Sequence, residues 1–274
     1  MKIELVKNIG MNMNKNKIIY EEGKKYLLGF KEINDEILEK QIKFPEKNKP
    51  INKSMLFKKM IEHAKNRQGM PNSIGDINKL NKILFCFDSD KVLNKYNNWE
   101  SLFDNIYEHY QPPGRMEKNK KSNYWVIYCK SIVSIAKYLK QFKDINDFND
   151  YVAQFINNIP DVRLSLPLIL KEEIFGYAFA LACDFIKENI SKDFVKPDVH
   201  IKDIFIGIGL SENNTSDFQI FRDVIKYASS ISEEPYSVDK LFWLIGSGNF
   251  YDFGIKLKTD KKYFINEINK LVNK

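Results

Sequence analysis

The feature that most constrains the fold is a helical period of apolar residues that recurs almost throughout the chain and is cut at intervals by proline and glycine. Met55, Met60, Ile61 and Ala64 fall on one helical face, and so do Tyr124, Ile127, Tyr128, Ile132, Ile135, Ala136 and Leu139. Residues 101–110 and 148–157 repeat the pattern, as do 176–187, 200–208, 218–227, 238–245 and 263–272. Breakers stand where such helices should end: Pro112-Pro113-Gly114, Pro160, Pro167, Pro197, Gly207, Gly209 and Pro235. With no internal repeat and 43% hydrophobic residues, the 274-residue chain predicts an all-α fold of neighbouring helices around a sizeable core. No apolar run reaches the roughly 18 residues of a membrane span, and the first residues lack a signal-peptide core, so a cytoplasmic protein is expected.

Two N-terminal segments break the pattern. Residues 17–30 alternate weakly between apolar and polar side chains and predict a small β element or an extended arm. Residues 43–53 carry Pro45 and Pro50 among charges and asparagines and predict a linker. The expected organisation is therefore an N-terminal appendage and linker over residues 1–53 and a helical domain over 54–274.

Residues 1–80 hold 17 basic and 10 acidic side chains, whereas the rest of the chain holds 26 of each. Such an excess suits a surface facing a polyanion, since neutralised phosphates supply most sequence-independent affinity for nucleic acid. It equally suits lysine-rich solvated faces. Cys86, Cys129 and Cys183 are odd in number, widely spaced and set in apolar runs. They predict three small buried residues rather than a disulfide framework or metal site.

The most informative stretch is Phe175-Gly176-Tyr177-Ala178-Phe179-Ala180-Leu181-Ala182-Cys183-Asp184-Phe185, followed by Val195-Lys196-Pro197-Asp198-Val199-His200-Ile201. A glycine and alternating alanines predict a helix whose start is crowded against another backbone. Asp198 after Pro197 predicts the start of the next helix, where aspartate is among the best caps.

This glycine-started helix, followed about twenty residues later by Asp-Val-His-Ile, resembles the helix-hairpin-helix superfamily of DNA glycosylases, which includes the endonuclease III, adenine-mismatch, 8-oxoguanine and 3-methyladenine enzymes. The similarity runs through residues 235–246 and covers roughly residues 55–255. The resemblance implies a two-lobed helical fold with double-stranded DNA between the lobes; a monomer is expected, although the sequence leaves the oligomeric state open. It also implies a hairpin, in the region of residues 166–182, that grips the DNA backbone through main-chain N–H groups such as those of Gly176 and Tyr177. Asp198 is by the same resemblance the catalytic carboxylate, and His200 a DNA contact.

Departures limit what carries over. The hairpin reads Ile174-Phe175-Gly176-Tyr177-Ala178, without the first glycine of the usual Gly-hydrophobic-Gly, and Ala178 stands where strand-cleaving members carry lysine. A monofunctional enzyme is expected, although Lys171 or Lys196 could substitute in space. No cysteine follows Cys183, so an iron–sulfur cluster is excluded, and neither metal nor other cofactor is expected.

The chemistry asks for one well-placed carboxylate. Breaking an N-glycosidic bond builds positive charge on deoxyribose, which an ionised carboxylate stabilises while it orients the attacking water. A helix N-terminus favours that anion. Asn66, Arg67 and Gln68, in a polar loop with Gly69 and Pro71, suit insertion into a duplex whose base has been extruded. Phe175, Phe179, Trp243 and Tyr251 are candidates for walls of a base pocket. The base is open: oxidised purine, alkylated purine and a modified base of foreign DNA are all compatible. The alternative class is a non-catalytic DNA-binding protein with the same fold.

Overall fold

A computed structural model describes residues 2–67, 69–70, 74–110, 112, 115–156 and 159–272, with side chains from Lys15 onward. The described chain is all-α, with thirteen α-helices and one two-stranded antiparallel ribbon pairing Asn249 with Lys256 and Phe250 with Ile255. It divides into two compact units. Unit 1 joins Met1–Glu46 to Ser191–Lys274, and unit 2 is the continuous segment Lys47–Ile190.

Unit 1 contains α1 (Lys2–Leu28) and α2 (Asp35–Ile42), then α10 (Val199–Gly207), α11 (Asp217–Ser230), α12 (Pro235–Ser247) and α13 (Lys261–Val272). The expected N-terminal appendage with β character is therefore corrected. The stretch from 17 to 28 is helix, with Ile19, Tyr20 and Leu27 buried on one side, and α1 and α2 pack on α12. Gly23 marks the crossing: a Cβ there would lie 3.2 Å from Ile245 and 3.3 Å from Leu241. The alternation misled because Ile18-Ile19-Tyr20 and Tyr26-Leu27-Leu28 are two apolar clusters about two turns apart, a spacing that a short window cannot distinguish from strand.

Unit 2 contains α3 (Lys53–Ala64), α4 (Ser89–Lys95), α5 (Trp99–His109), α6 (Tyr124–Leu139), α7 (Ile145–Ala153), α8 (Pro160–Glu173) and α9 (Phe179–Asn189). Its centre is α6, which packs on α3, α4, α5 and α8 and buries Trp125, Tyr128, Ile132, Ile135 and Leu139. Cys129 and Cys183 are buried as expected, and burial pushes the Cys129 thiol above its ordinary range. Cys86 is exposed, contrary to expectation, because it sits on a turn where Phe85, Cys86 and Phe87 take successive φ values of 50°, 55° and 61°. Left-handed backbone of this kind costs roughly 1–2 kcal/mol per residue without glycine.

Helix starts follow the sequence closely. Asn34, Asn52, Asp88, Asn98, Asn123, Asp144, Asp198 and Ser216 each accept a backbone N–H in the first turn of α2, α3, α4, α5, α6, α7, α10 and α11. Asp260 does the same for α13, while α8 and α12 open with proline at the first turn. Among the described residues of α2 to α13, only α9 is entered with neither device.

Candidate nucleic-acid interface

Helices α8 and α9 pack against each other and are joined by the five residues 174–178, within the stretch read as a hairpin. Gly176 supplies the turn with φ +88°. A Cβ there would lie 2.8 Å from the Ser131 hydroxyl oxygen and 3.3 Å from an Arg67 guanidinium nitrogen. The crowding expected at this glycine thus comes from side chains of α6 and of the loop after α3, not from another backbone. The Phe175 N–H donates to Ser134 Oγ at 2.9 Å, which fixes the turn to α6.

The turn brings together several of the residues singled out by sequence. Phe175 is 45% exposed, with the Lys130 ammonium 5.5 Å from its ring centroid and 4.9 Å from that of Trp99. Arg67 lies beside Gly176. Asn66 and Arg67 follow the last turn of α3, with their N–H groups bonded to His63 O and Ala64 O; Gln68 lies outside the described residues. Ala178 precedes α9 and, as alanine, supplies no side-chain cap to its first turn. Tyr177 is not available to a ligand in the expected way: its N–H bonds Ile174 O, and its buried hydroxyl donates to Met60 O at 2.8 Å. It is an anchor, tying the turn to α3. Phe179 is likewise buried.

A pair missed in the sequence completes this anchoring. His63 Nε2 meets Asp184 Oδ2 at 3.0 Å with both side chains largely buried, tying the last turn of α3 to the middle of α9. The only signal was His63 at the end of one apolar face and Asp184 within another. The charge count also sharpens: residues 47–80 hold eight basic and two acidic side chains, so nearly the whole excess falls on α3 and the segments that flank it.

The other candidate residues lie in unit 1. Asp198 caps α10 with a single oxygen, Oδ1 accepting from the His200 N–H at 2.9 Å and the Ile201 N–H at 3.1 Å. Its Oδ2 has no hydrogen-bond partner among the described residues. Asp198 is half-buried, follows buried Pro197, and directs its own N–H to Lys196 O. Asp144 caps α7 through one oxygen in the same manner but is exposed.

His200 stands in the first turn of α10 against Gly246 of α12, where an added Cβ would fall 2.5 Å from the histidine Cβ. Its Nδ1 is buried without a partner among the described residues, and burial holds the imidazole below its ordinary pKa of 6.5 against the opposing pull of Asp198. Trp243 and Tyr251 meet with ring centroids 5.6 Å apart and planes 34° apart, Tyr251 being 70% exposed. The Lys240 ammonium lies 5.5 Å from the Trp243 ring.

No match was found to any family model, curated protein or solved structure. Among the described residues no three His, Cys, Asp or Glu side chains gather as metal ligands, and no helix is long and apolar enough to cross a membrane.

Proposed function

We propose that the chain is a DNA N-glycosylase that extrudes a damaged or modified base from duplex DNA and hydrolyses its glycosidic bond. The observation that carries the reading is the divided carboxylate of Asp198. Oδ1 is held by two backbone N–H groups, which orient the group, while Oδ2 is left for a substrate or water. Half-burial separates it from Asp144, which caps its helix in the open. Asp198 also follows the glycine-started α9 by about twenty residues, the pattern on which the resemblance to the helix-hairpin-helix glycosylases rests.

In this reading DNA backbone phosphate lies against the uncapped start of α9 and the Gly176 turn, with Arg67 and Lys130 alongside. Base flipping leaves a gap that Asn66 and Arg67 fill. As deoxyribose takes on oxocarbenium character, the Asp198 carboxylate stabilises it and directs water to C1′. Ala178 cannot form a Schiff base, so the product is an abasic site and the strand stays intact. A duplex-binding monomer in the cytoplasm, associated with the nucleoid when bound, fits this chemistry.

The test is single-turnover base release from duplexes carrying one 8-oxoguanine, alkylated purine, uracil or hypermodified cytosine, with wild type and Asp198→Asn. Asparagine caps a helix as well as aspartate, so the variant keeps its stability while losing the charge. Alkali-dependent strand breaks with wild type alone are expected. Absence of release on every duplex, together with salt-sensitive DNA binding, replaces this reading with a non-catalytic DNA-binding protein.

A further inference from the structure

The left-handed turn at 85–87 is built into unit 2 firmly enough to persist. The Leu84 N–H bonds Leu80 O at 2.8 Å, the Cys86 N–H bonds Asn81 O at 2.9 Å, and Asp88 immediately caps α4. Phe87 is buried, with the Lys58 ammonium of α3 5.2 Å from its ring. Three strained residues in a row call for a reason, and strain of this kind gathers where a ligand is held.

Here the turn sets the Phe85 ring 6.2 Å from that of Tyr96, at 41°, on the wall of a cavity of about 450 Å³. That volume lies within the roughly 300–1,000 Å³ of small-molecule sites. Lys79, Lys82 and Lys95 also line it, with His109 and Tyr110. No carboxylate lines the cavity, and none of the three lysines pairs with one among the described residues.

The polar groups of the floor are already satisfied. The Tyr96 hydroxyl lies 3.1 Å from Ile83 O and 3.1 Å from Asn105 Oδ1, so Tyr96 offers its ring and not its oxygen. His109 Nδ1 donates to Asn105 O at 3.0 Å. The cavity therefore offers flat aromatic surface and three uncompensated cations.

We propose that this cavity binds a nucleotide unit, with the base against Phe85 and Tyr96 and the phosphate held by Lys79, Lys82 and Lys95. Base stacking on aromatic rings and charge-assisted bonds from lysine to phosphate are the two recognition chemistries that match it. It lies within unit 2, does not involve Asp198, and stands whether or not the chain excises bases. The nucleotide has two sources of the same chemistry, a free deoxynucleoside monophosphate or one nucleotide of a DNA strand.

Calorimetric titration of the full chain separates them, using deoxythymidine monophosphate, deoxythymidine, inorganic phosphate and a 5′-phosphorylated oligothymidine. The monophosphate is expected to bind, with deoxythymidine weaker by about tenfold or more because the charge-assisted bonds are lost. Lys82→Gln/Lys95→Gln is expected to weaken it to the same degree. Phe85→Gly, which suits the positive φ and so keeps the fold, is expected to weaken it by about fivefold or more through lost stacking. Tighter binding of the oligonucleotide assigns the site to a strand, and tighter binding of the monophosphate assigns it to a free nucleotide.

Photo-crosslinking with 5-bromodeoxyuridine monophosphate, followed by peptide mapping, should mark residues 79–110. Failure of both the monophosphate and the oligonucleotide to bind at millimolar concentration would overturn the proposal. So would unchanged binding by both variants, or crosslinks confined to other segments. None of these outcomes bears on base release by Asp198, which is read in a separate assay.

Discussion

Gly176→Ala tests the hairpin most directly. Alanine at φ +88° carries roughly 1–2 kcal/mol of backbone strain, and its methyl would sit 2.8 Å from Ser131 Oγ, an overlap of the kind that costs about 1–3 kcal/mol. Against these stands a gain of about 0.4–1 kcal/mol from the stiffer unfolded chain. The net expectation is a loss of about 2–4 kcal/mol from unit 2. Ser131→Ala removes the oxygen that collides, so in that background the same substitution should lose only about 1 kcal/mol. Urea unfolding by tryptophan fluorescence isolates the effect in a Trp243→Phe background, because Trp99 and Trp125 then report on unit 2 alone. A penalty below about 1 kcal/mol, or one that is no smaller once Ser131→Ala is also present, would refute the claim that glycine is required by both conformation and space. If the proposed DNA binding holds, salt-dependent affinity should fall with the stability, since the turn carries the start of α9.

Three further outcomes are expected. Gly246→Ala should destabilise unit 1 by about 1–3 kcal/mol in urea melts, because its methyl would fall 2.5 Å from His200 Cβ; a neutral result would mean that α10 and α12 are less closely packed. His63→Ala should lose about 1–3 kcal/mol by removing the buried bond to Asp184, and on the proposed function should weaken DNA binding because the loop carrying Asn66 and Arg67 loosens; an affinity equal to wild type would separate that loop from the proposed interface. Burial lowers the folded-state pKa of His200, so its neutral form suits the native state above pH 6.5, and stability is lost as pH falls below 6.5 towards the folded value. His200→Gln should flatten the thermal-stability profile in that window, and an unchanged slope would exclude this histidine as its source.

The helices most legible in sequence were those with one clean apolar face and a polar cap. The period over 123–141 matches α6 at Tyr124–Leu139 behind its Asn123 cap, and Asp198 stands at the cap where Pro197 and the following isoleucines put it. Helix α8 was illegible because Pro160 and Pro167 read as breakers. The first is a helix opener, and the second sits inside α8, where it lacks the N–H that would bond to the carbonyl of residue 163. The candidate site was legible only where residues are near in sequence, as at Gly176 and Asp198. Contacts such as Ser131 and Arg67 on Gly176, His63 on Asp184, and Gly246 on His200 join positions 45 to 121 residues apart. No local pattern carries such pairs.

The discontinuous make-up of unit 1 has a consequence for synthesis. Helix α1 leaves the ribosome early, yet the α12 surface it covers follows about two hundred residues later, roughly 10–40 s at cellular elongation rates. Unit 2, encoded without interruption, can complete its core during that wait. The first forty-six residues must meanwhile remain unassociated or be sheltered by a chaperone, and closure of unit 1 becomes the step that reports an intact C-terminal third. A chain truncated before Pro235 would strand Ile19, Tyr20 and Leu27 in water and mark itself for degradation.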